Sequence, residues 1–158
     1  MTNLNQFFIF AAKNFYLISL VLFFGYYFFM PRPKRREFFI FAIIVLPLIY
    51  LVGKIAGFIY FDPRPFVQYH FQPLISHSPD NGFPSDHELL TAGLAAVVSS
   101  SNIIFGVILW LLAILIGVAR IYVGVHSPLD IAASVVVAVS VTVIIYNYLY
   151  RKGPRKRA

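Results

Sequence analysis

Long apolar segments separated by short polar stretches constrain the fold of this chain more than any other feature. Residues 7–30 are interrupted only by Lys13 and Asn14, and residues 38–60 and 131–150 are comparably apolar. Such segments are long enough to cross a hydrocarbon core of about 30 Å. With 59% hydrophobic residues and a mean hydropathy of +0.78, the chain is far more apolar than a soluble domain of this size. The sequence predicts an all-α, polytopic bundle of transmembrane helices.

Residues 89–118 admit two interpretations. As one helix, this apolar stretch would be about 45 Å long, well over a membrane thickness. The polar run Ser-Ser-Ser-Asn at 99–102 instead predicts a turn between two shorter spans. We then expect a single membrane-embedded domain, residues 1–158, with about five spans at 7–30, 38–60, 86–100, 103–119 and 129–150 and an outer loop at 61–85. Two crossings bring the polar residues near 85 and 126 to the same side, whereas one crossing separates them by the bilayer.

The basic residues indicate the orientation of the chain. Nine of the thirteen Lys and Arg residues lie in two clusters, at 32–36 and 151–157, each at the end of an apolar segment. Cytoplasmic loops carry such an excess of positive charge, so we expect the N-terminus outside and the C-terminus inside. The net charge of +7 then reflects orientation rather than a nucleic-acid partner, with a surface patch for anionic membrane lipids as a second role. Cysteine is absent, which excludes disulfide bonds, a thiolate nucleophile and a cysteine-based metal site.

A short run of charged residues separates the last two apolar segments. Ser127, Pro128 and Asp130 have the pattern of a helix start, with serine as N-cap, proline at the first position and aspartate able to reach back to the cap. His126 then lies just ahead of a helix N-terminus, with Asp130 one turn below it. A carboxylate at that spacing can hold one imidazole nitrogen and leave the other free to attack or to transfer a proton. The alternative is a capped helix whose histidine and aspartate only satisfy one another.

The predicted topology brings three groups of polar residues together at the outer face. They are Lys54 with Arg64, then Ser85, Asp86, His87 and Glu88, and finally Arg120 with His126 and Asp130. Cations this close to hydrocarbon are costly unless an anion or a wet cavity compensates them. Ser85 and Glu88 have the S-x-x-E pattern of a capping box, so a second helix N-terminus would direct free N–H groups to the same place. Together these features predict a phosphate-binding site.

Each of these residues also has an interpretation without chemistry. Lys54 and Arg64 could be interfacial residues whose charged ends reach lipid head groups, and Ser85 and Glu88 could be helix caps only. Four further residues are interpreted as ordinary surface or packing residues: His70, His77, Trp110 and Tyr122. Because the charged groups occur together, a shared phosphate site explains them better than a separate structural role for each residue.

The constellation resembles the type 2 phosphatidic acid phosphatase superfamily, whose three motifs read K-x6-R-P, P-S-G-H and S-R-x5-H-x3-D. Here the third motif is Arg120-x5-His126-x3-Asp130 and the second is Pro84-Ser85-Asp86-His87. Both are similar to the motifs of bacterial undecaprenyl-pyrophosphate phosphatases of the bacitracin-resistance type.

The resemblance implies a role for each matching residue. His126 would attack phosphorus, Asp130 would fix its tautomer, and His87 would protonate the leaving oxygen. The other polar residues of the motifs would hold the phosphoryl oxygens, namely Arg64, Arg120, Ser85 and Lys54. No metal and no cofactor is implied, because side chains supply the cations.

The chain departs from the family pattern in four respects. Counted back from Arg64, the family lysine falls on Gly57, and the nearest lysine is Lys54, three residues earlier on the same helix face. Asp86 replaces the glycine of the second motif and is a further candidate site residue. Ala119 replaces the serine of the third motif. The family usually has six spans where five are expected here, which leaves self-association into a homo-oligomer open.

These implications define an expected function. The chain would hydrolyse a polyprenyl diphosphate, such as undecaprenyl diphosphate, to the monophosphate through a phosphohistidine. It would do so as a multi-pass protein of the plasma membrane with its active site on the outer face, and its partners would be a lipid phosphate or diphosphate and membrane lipids. The nearest alternative is a phosphatidate or phosphatidylglycerophosphate phosphatase with the same chemistry. A different class is a non-catalytic lipid-binding membrane protein, or a family member inactivated by the displaced lysine.

Overall fold

The computed structural model describes residues 2–151, which fold into five long helices and one short helix. Helix α1 spans Asn3–Phe29, α2 Arg32–Ile59, α3 Pro65–Gln68, α4 Asp86–Ser99, α5 Ile103–Tyr122 and α6 Pro128–Tyr146, and a π-helical turn, Asn147–Arg151, continues α6. Apart from one isolated bridge between Pro63 and Asn81, the described residues contain no strand. The expected all-α architecture is confirmed.

Four helices are long and apolar enough to cross a membrane: α1, α2, α5 and α6 with its continuation. Their outward faces carry large exposed apolar side chains, including Val21, Phe28, Leu111 and Ile144. Exposed apolar surface on this scale marks a protein that lies in a membrane, and the chain is a multi-pass membrane protein. The fifth long helix, α4, has 14 residues, so at about 21 Å it is shorter than the hydrocarbon core.

Helix α4 lies at the centre of the bundle. It packs against α1, α2, α5 and α6, and its residues from 88 to 98 are buried except Leu90. Ala92, Gly93 and Ala95 are buried small residues, and a Cβ added at Gly93 would lie only 3.3 Å from Ile49 Cδ1, so α2 packs closely against this face of α4. A helix surrounded on all sides needs no polar face, which is why α4 is apolar around most of its circumference.

The turn between α4 and α5 determines where the polar residues lie. Helix α4 ends at Ser99, α5 begins at Ile103, and the side chain of Asn102 accepts a hydrogen bond from the backbone N–H of Phe105 at 3.0 Å. This N-cap stops the chain from continuing as one helix. Because α4 and α5 therefore run in opposite directions, the start of α4 and the end of α5 lie at the same end of the bundle.

The first basic cluster lies at the opposite end, within the first turns of α2 rather than ahead of the span. Arg35 Nη2 donates to the carbonyl oxygens of Phe28, at 2.7 Å, and Met30, at 2.9 Å, and so satisfies groups at the C-terminal end of α1. A cavity of about 930 Å³ at this end is lined by Lys34 and Glu37, among others. Of the second basic cluster, only residue 151 falls within the described residues. The orientation of the chain in the membrane stays a prediction.

Candidate active site

The turn between α5 and α6 holds His126 and Asp130 in a fixed arrangement. Gly124 has φ +83°, a backbone conformation that favours glycine, and Ser127 and Asp130 form the expected reciprocal capping box at the start of α6. Asp130 Oδ2 lies 3.1 Å from His126 Nδ1 and accepts the Ser127 backbone N–H at 2.8 Å. Since a carboxylate only accepts, Nδ1 carries the proton and Nε2 keeps its lone pair.

Two arginines lie beside the second ring nitrogen of His126, Nε2. Arg64 Nη1 is 3.3 Å and Arg120 Nη2 is 3.2 Å from His126 Nε2. His126, Arg64 and Arg120 are only 3%, 6% and 3% exposed, so their charges act in a medium that screens poorly. Burial, and then the charges of Arg120 and Arg64, lower the pKa of His126 despite the opposing hydrogen bond to Asp130. Burial and the two arginines thus favour the neutral imidazole, which is the form that a nucleophile requires.

Arg64 is held both by the loop that precedes α4 and by the turn between α5 and α6. It is the N-cap residue of α3, its Nε donates to Asp80 Oδ1 at 2.7 Å, and its Nη1 also donates to the carbonyl oxygen of Val125 at 2.9 Å. The hydrogen bond from Arg64 lowers the pKa of the Asp80 carboxyl. Arg120, in the last turn of α5, has a buried Nε without a hydrogen-bond partner in the described structure.

Asn81 joins this loop to the end of α2. Its Oδ1 accepts the backbone N–H groups of Asp62, at 3.0 Å, and Phe83, at 2.9 Å, and its Nδ2 donates to the carbonyl oxygens of Gly57, at 2.8 Å, and Tyr60, at 3.0 Å. Gly57 lies so close to the loop that an added Cβ would be 2.6 Å from the Phe83 carbonyl oxygen. The backbone therefore has no room for a lysine at this position without a shift of the loop.

Lys54 instead forms an ion pair with Asp86, the residue that replaces the motif glycine. Lys54 Nζ lies 2.8 Å from Oδ1 and 2.9 Å from Oδ2 of Asp86, and the two side chains are 49% and 56% exposed. A pair this exposed contributes at most about 1 kcal/mol to stability. Its position, rather than its strength, is therefore the notable feature.

These residues line one cavity of about 330 Å³ at this end of the bundle. Its walls include six of the predicted site residues, which are Lys54, Arg64, Asp86, His87, Arg120 and His126. The ring of His87 meets that of Tyr16 edge to face, with 5.1 Å between centroids. Asp130 lies behind His126 and is 1% exposed. The structure thus brings the cations and both motif histidines to a single small, polar cavity.

The expected capping box of Ser85 and Glu88 is wrong. Ser85 is the N-cap residue of α4, but its side chain makes no capping hydrogen bond, and its Oγ is buried without a hydrogen-bond partner among residues 2–151. Its backbone is held instead by α6, since the Ser134 hydroxyl donates to the Ser85 carbonyl oxygen at 3.0 Å. Glu88 turns into the bundle and is 1% exposed. Ser85 therefore lies beside the cavity and is not among the residues that line it.

His77 lies nearer the site than the sequence suggested. It lines the cavity, and its ring centroid is 6.3 Å from that of His126, so its interpretation as an ordinary surface histidine is wrong. Burial, followed by the charge of Arg64, lowers its pKa. Nothing in the local sequence distinguishes His77 from the exposed His70, because only the folded loop brings it to His126.

No group of three or more His, Cys, Asp or Glu residues could hold a metal ion in the part of the chain that the structure describes. The residues suited to an anion are the cations Arg64, Arg120 and Lys54. These three supply positive charge at the site from side chains.

Fold and site together define a class: a helical membrane protein with a histidine–aspartate pair and two arginines in a cavity at one end of the bundle. Residues 37–154 match the PAP2 superfamily, and the chain belongs to this superfamily. The sequence-based assignment to the family is confirmed.

Individual relatives are similar over most of the chain. It is 33% identical over 114 residues to the bacitracin transport permease protein BcrC of Bacillus licheniformis, covering 72% of this chain and 56% of that protein. It is 33% identical over 98 residues to the undecaprenyl-diphosphatase BcrC of Bacillus subtilis strain 168, covering 62% and 51%. The chain thus spans about half the length of these curated relatives. The crystal structure of Aquifex aeolicus LpxE aligns with TM-score 0.72 and 26% identity, covering 94% of this chain and 88% of that one.

Proposed function

We propose that this chain is a lipid phosphatase that hydrolyses a polyprenyl diphosphate, such as undecaprenyl diphosphate, to the monophosphate. The observation that carries the proposal is the environment of His126, whose Nδ1 is held by Asp130 while its Nε2 lies between the guanidinium groups of Arg64 and Arg120. A neutral nucleophile inside a cationic cavity is the arrangement that attack on a phosphoryl group requires. The family and the relative named undecaprenyl-diphosphatase support this choice of substrate.

The first step forms a phosphohistidine. His126 Nε2 attacks the terminal phosphorus, the bond from phosphorus to the bridging oxygen breaks, and the lipid monophosphate leaves. Arg64 and Arg120 bind the phosphoryl oxygens while negative charge spreads over them, and Asp130 stabilises the positive charge that develops on the imidazole. No metal enters this mechanism, because the cations that stabilise the transition state are side chains.

The second step releases phosphate. His87, on the wall of the same cavity, protonates the leaving oxygen in the first step and then accepts a proton from the water that attacks the phosphohistidine. A phosphate monoester leaves more readily than an alkoxide, so loss of His87 should impair hydrolysis of a lipid diphosphate less than that of a lipid monophosphate. Equal impairment of both substrates by His87→Ala would contradict this assignment.

The test is phosphate release from undecaprenyl diphosphate in detergent with EDTA. We expect release by the wild type and by His70→Ala, which removes an exposed loop histidine, and no release by His126→Ala. Wild-type activity that EDTA abolishes would contradict a metal-independent mechanism. No release by the wild type, on this lipid or on phosphatidate, would favour a lipid-binding protein without catalytic activity.

We place the active site at the outer face of the plasma membrane. The first basic cluster is at the end of α2 remote from the site, separated from it by most of a helix of 28 residues, or about 40 Å. The excess of positive charge on cytoplasmic loops then puts the site outside. Because the chain has no cysteine, Ser78→Cys should react with a membrane-impermeant maleimide in intact cells, and Lys34→Cys only after permeabilisation. If Lys34→Cys reacts in intact cells and Ser78→Cys only after permeabilisation, the active site faces the cytoplasm instead.

A further inference from the structure

The pair of Lys54 and Asp86 lies where the phosphate cavity meets a second, more apolar one. The second cavity has a volume of about 420 Å³ and is lined by Tyr16, Leu46, Ile49, Tyr50, Leu89 and Leu90. Asp86 and His87 line both cavities. The two cavities are therefore neighbours, one more polar and one more apolar, and Asp86 of the ion pair lies in the wall that they share.

We propose that Lys54, held in place by Asp86, binds the phosphate that stays on the lipid and so makes the site selective for lipid diphosphates over lipid monophosphates. This inference rests on the proposed function. It assigns the apolar cavity to the first part of the substrate's hydrocarbon chain, because that cavity adjoins the phosphate cavity directly and its walls are mostly apolar.

The order of groups in the substrate supports this assignment. The phosphorus that His126 attacks must lie next to Nε2, between Arg64 and Arg120. In a diphosphate lipid the second phosphate separates this phosphorus from the hydrocarbon chain, so it falls between His126 and the apolar cavity. Lys54 occupies that intermediate place. A monophosphate lipid presents only an ester oxygen there, so the ammonium group keeps Asp86 as its anionic partner and gains no contact with a phosphate.

The position of Lys54 along α2 also favours a place between His126 and the apolar cavity. The Cβ that a lysine at Gly57 would need is blocked by the Phe83 carbonyl oxygen, whereas Lys54 is three residues nearer the start of α2. That offset moves the side chain about 4.5 Å along the helix axis, away from the outer end of the site and toward Tyr50, whose ring centroid is 5.0 Å from Lys54 Nζ. Tyr50 lines the apolar cavity.

Asp86 is a positioning residue in this scheme. A lysine on a flexible stem that is half exposed would otherwise sample many rotamers, and the two hydrogen bonds to Asp86 select one of them. The ammonium group has three donors, so at least one remains for a phosphate oxygen. Loss of Asp86 should therefore weaken binding of the diphosphate more than it slows the chemical step.

The experiment compares farnesyl diphosphate with farnesyl monophosphate, which share one hydrocarbon chain. In detergent micelles, Lys54→Met should lower the ratio of kcat/KM for the diphosphate to that for the monophosphate by about tenfold or more, the effect of losing a hydrogen bond between charged groups. Asp86→Asn should raise KM for the diphosphate more than it lowers kcat, and Asp86→Glu should recover part of the loss. Added to Lys54→Met, Asp86→Asn should reduce the ratio no further.

Lys13→Met is the matched control, because Lys13 is exposed on α1 and lines neither cavity. It should leave the ratio unchanged. An equal loss on both substrates in Lys54→Met, or no loss, overturns the inference and leaves the proposed function standing. If turnover of the monophosphate is too slow to measure, the change in KM for the diphosphate in Lys54→Met is compared with the change in the inhibition constant of inorganic phosphate. A KM that rises by no larger a factor than this inhibition constant also overturns the inference. A wild type that hydrolyses neither lipid overturns the proposed function, and this inference with it.

Discussion

Replacement of Asp130 by asparagine tests how the histidine is activated. Asp130 Oδ2 accepts hydrogen bonds from His126 Nδ1 and from the Ser127 backbone, while Oδ1 is buried and has no hydrogen-bond partner in the part of the chain that the structure describes. Asparagine can place its carbonyl oxygen at the Oδ2 position and keep both contacts, but it removes the negative charge. In the other orientation its amide would face Nδ1 and move the ring proton to Nε2, which would abolish the nucleophile.

The two effects of Asp130→Asn should differ greatly in size. A lost charge at a helix N-terminus that is not exposed costs up to about 2 kcal/mol, and asparagine keeps the shape of the side chain, so the variant should remain folded. The loss in kcat should be about 10²–10⁴-fold, since the same substitution of the aspartate in serine protease triads costs about 10⁴-fold through the wrong tautomer. The assay is initial-rate phosphate release in detergent, with thermal unfolding of the same samples as a stability measure.

Asp62→Asn provides the matched control. Asp62 Oδ2 accepts the Ser127 hydroxyl at 2.9 Å, so this carboxylate also lies at the start of α6, but it has no hydrogen bond to His126 among the described contacts. We expect kcat to fall by less than about tenfold in Asp62→Asn, because Asp62 is hydrogen-bonded to Ser127 rather than to the imidazole of His126. Activity of Asp130→Asn within threefold of the wild type, or an equal loss in Asp62→Asn, would refute the activation of His126 by Asp130.

Two further predictions concern the geometry and the charge of the site. Gly57→Ala should lower kcat/KM by about 10–100-fold, because a Cβ there displaces the Phe83 carbonyl group and with it the motif of residues 84–87. Gly25→Ala is the control, because a Cβ at Gly25 meets nothing within 4 Å in the described structure, and this variant should retain activity. Equal activity of the two variants would contradict the steric explanation. His126 should titrate below the ordinary histidine value of about 6.5, since burial and the arginines lower its pKa. Imidazole ¹⁵N NMR with His126→Gln for assignment measures this, and a midpoint at or above the ordinary value would contradict the lowering of this pKa by burial and the arginines.

Local sequence patterns predicted the part of the site that local structure builds. The start of α6 forms as expected because Ser127, Pro128 and Asp130 are neighbours in sequence, and the capping box brings the carboxylate to His126 through backbone geometry alone. The same kind of pattern failed at Ser85 and Glu88. There α4 is enclosed by the other long helices, and packing turned Glu88 into the bundle instead of back toward the cap.

Contacts between distant residues could not be predicted in this way. The ion pair of Lys54 and Asp86 joins residues 32 positions apart, and the place of His77 beside His126 depends on the path of the loop before α4. The hydrogen bonds by which Asn81 anchors that loop could not be predicted either, since the sequence Asp80-Asn81-Gly82 is typical of an ordinary turn. In each case the deciding interaction is tertiary.

The stereochemical course at phosphorus tests the central claim most directly, whether or not a phosphohistidine accumulates. Farnesyl diphosphate with a chiral terminal thiophosphoryl group, labelled with ¹⁸O, would be hydrolysed in ¹⁷O-water, and the configuration of the released thiophosphate determined. Two successive in-line displacements, first by His126 and then by water, predict net retention. Inversion would show that water attacks the lipid diphosphate directly, and it would contradict the role assigned to His126.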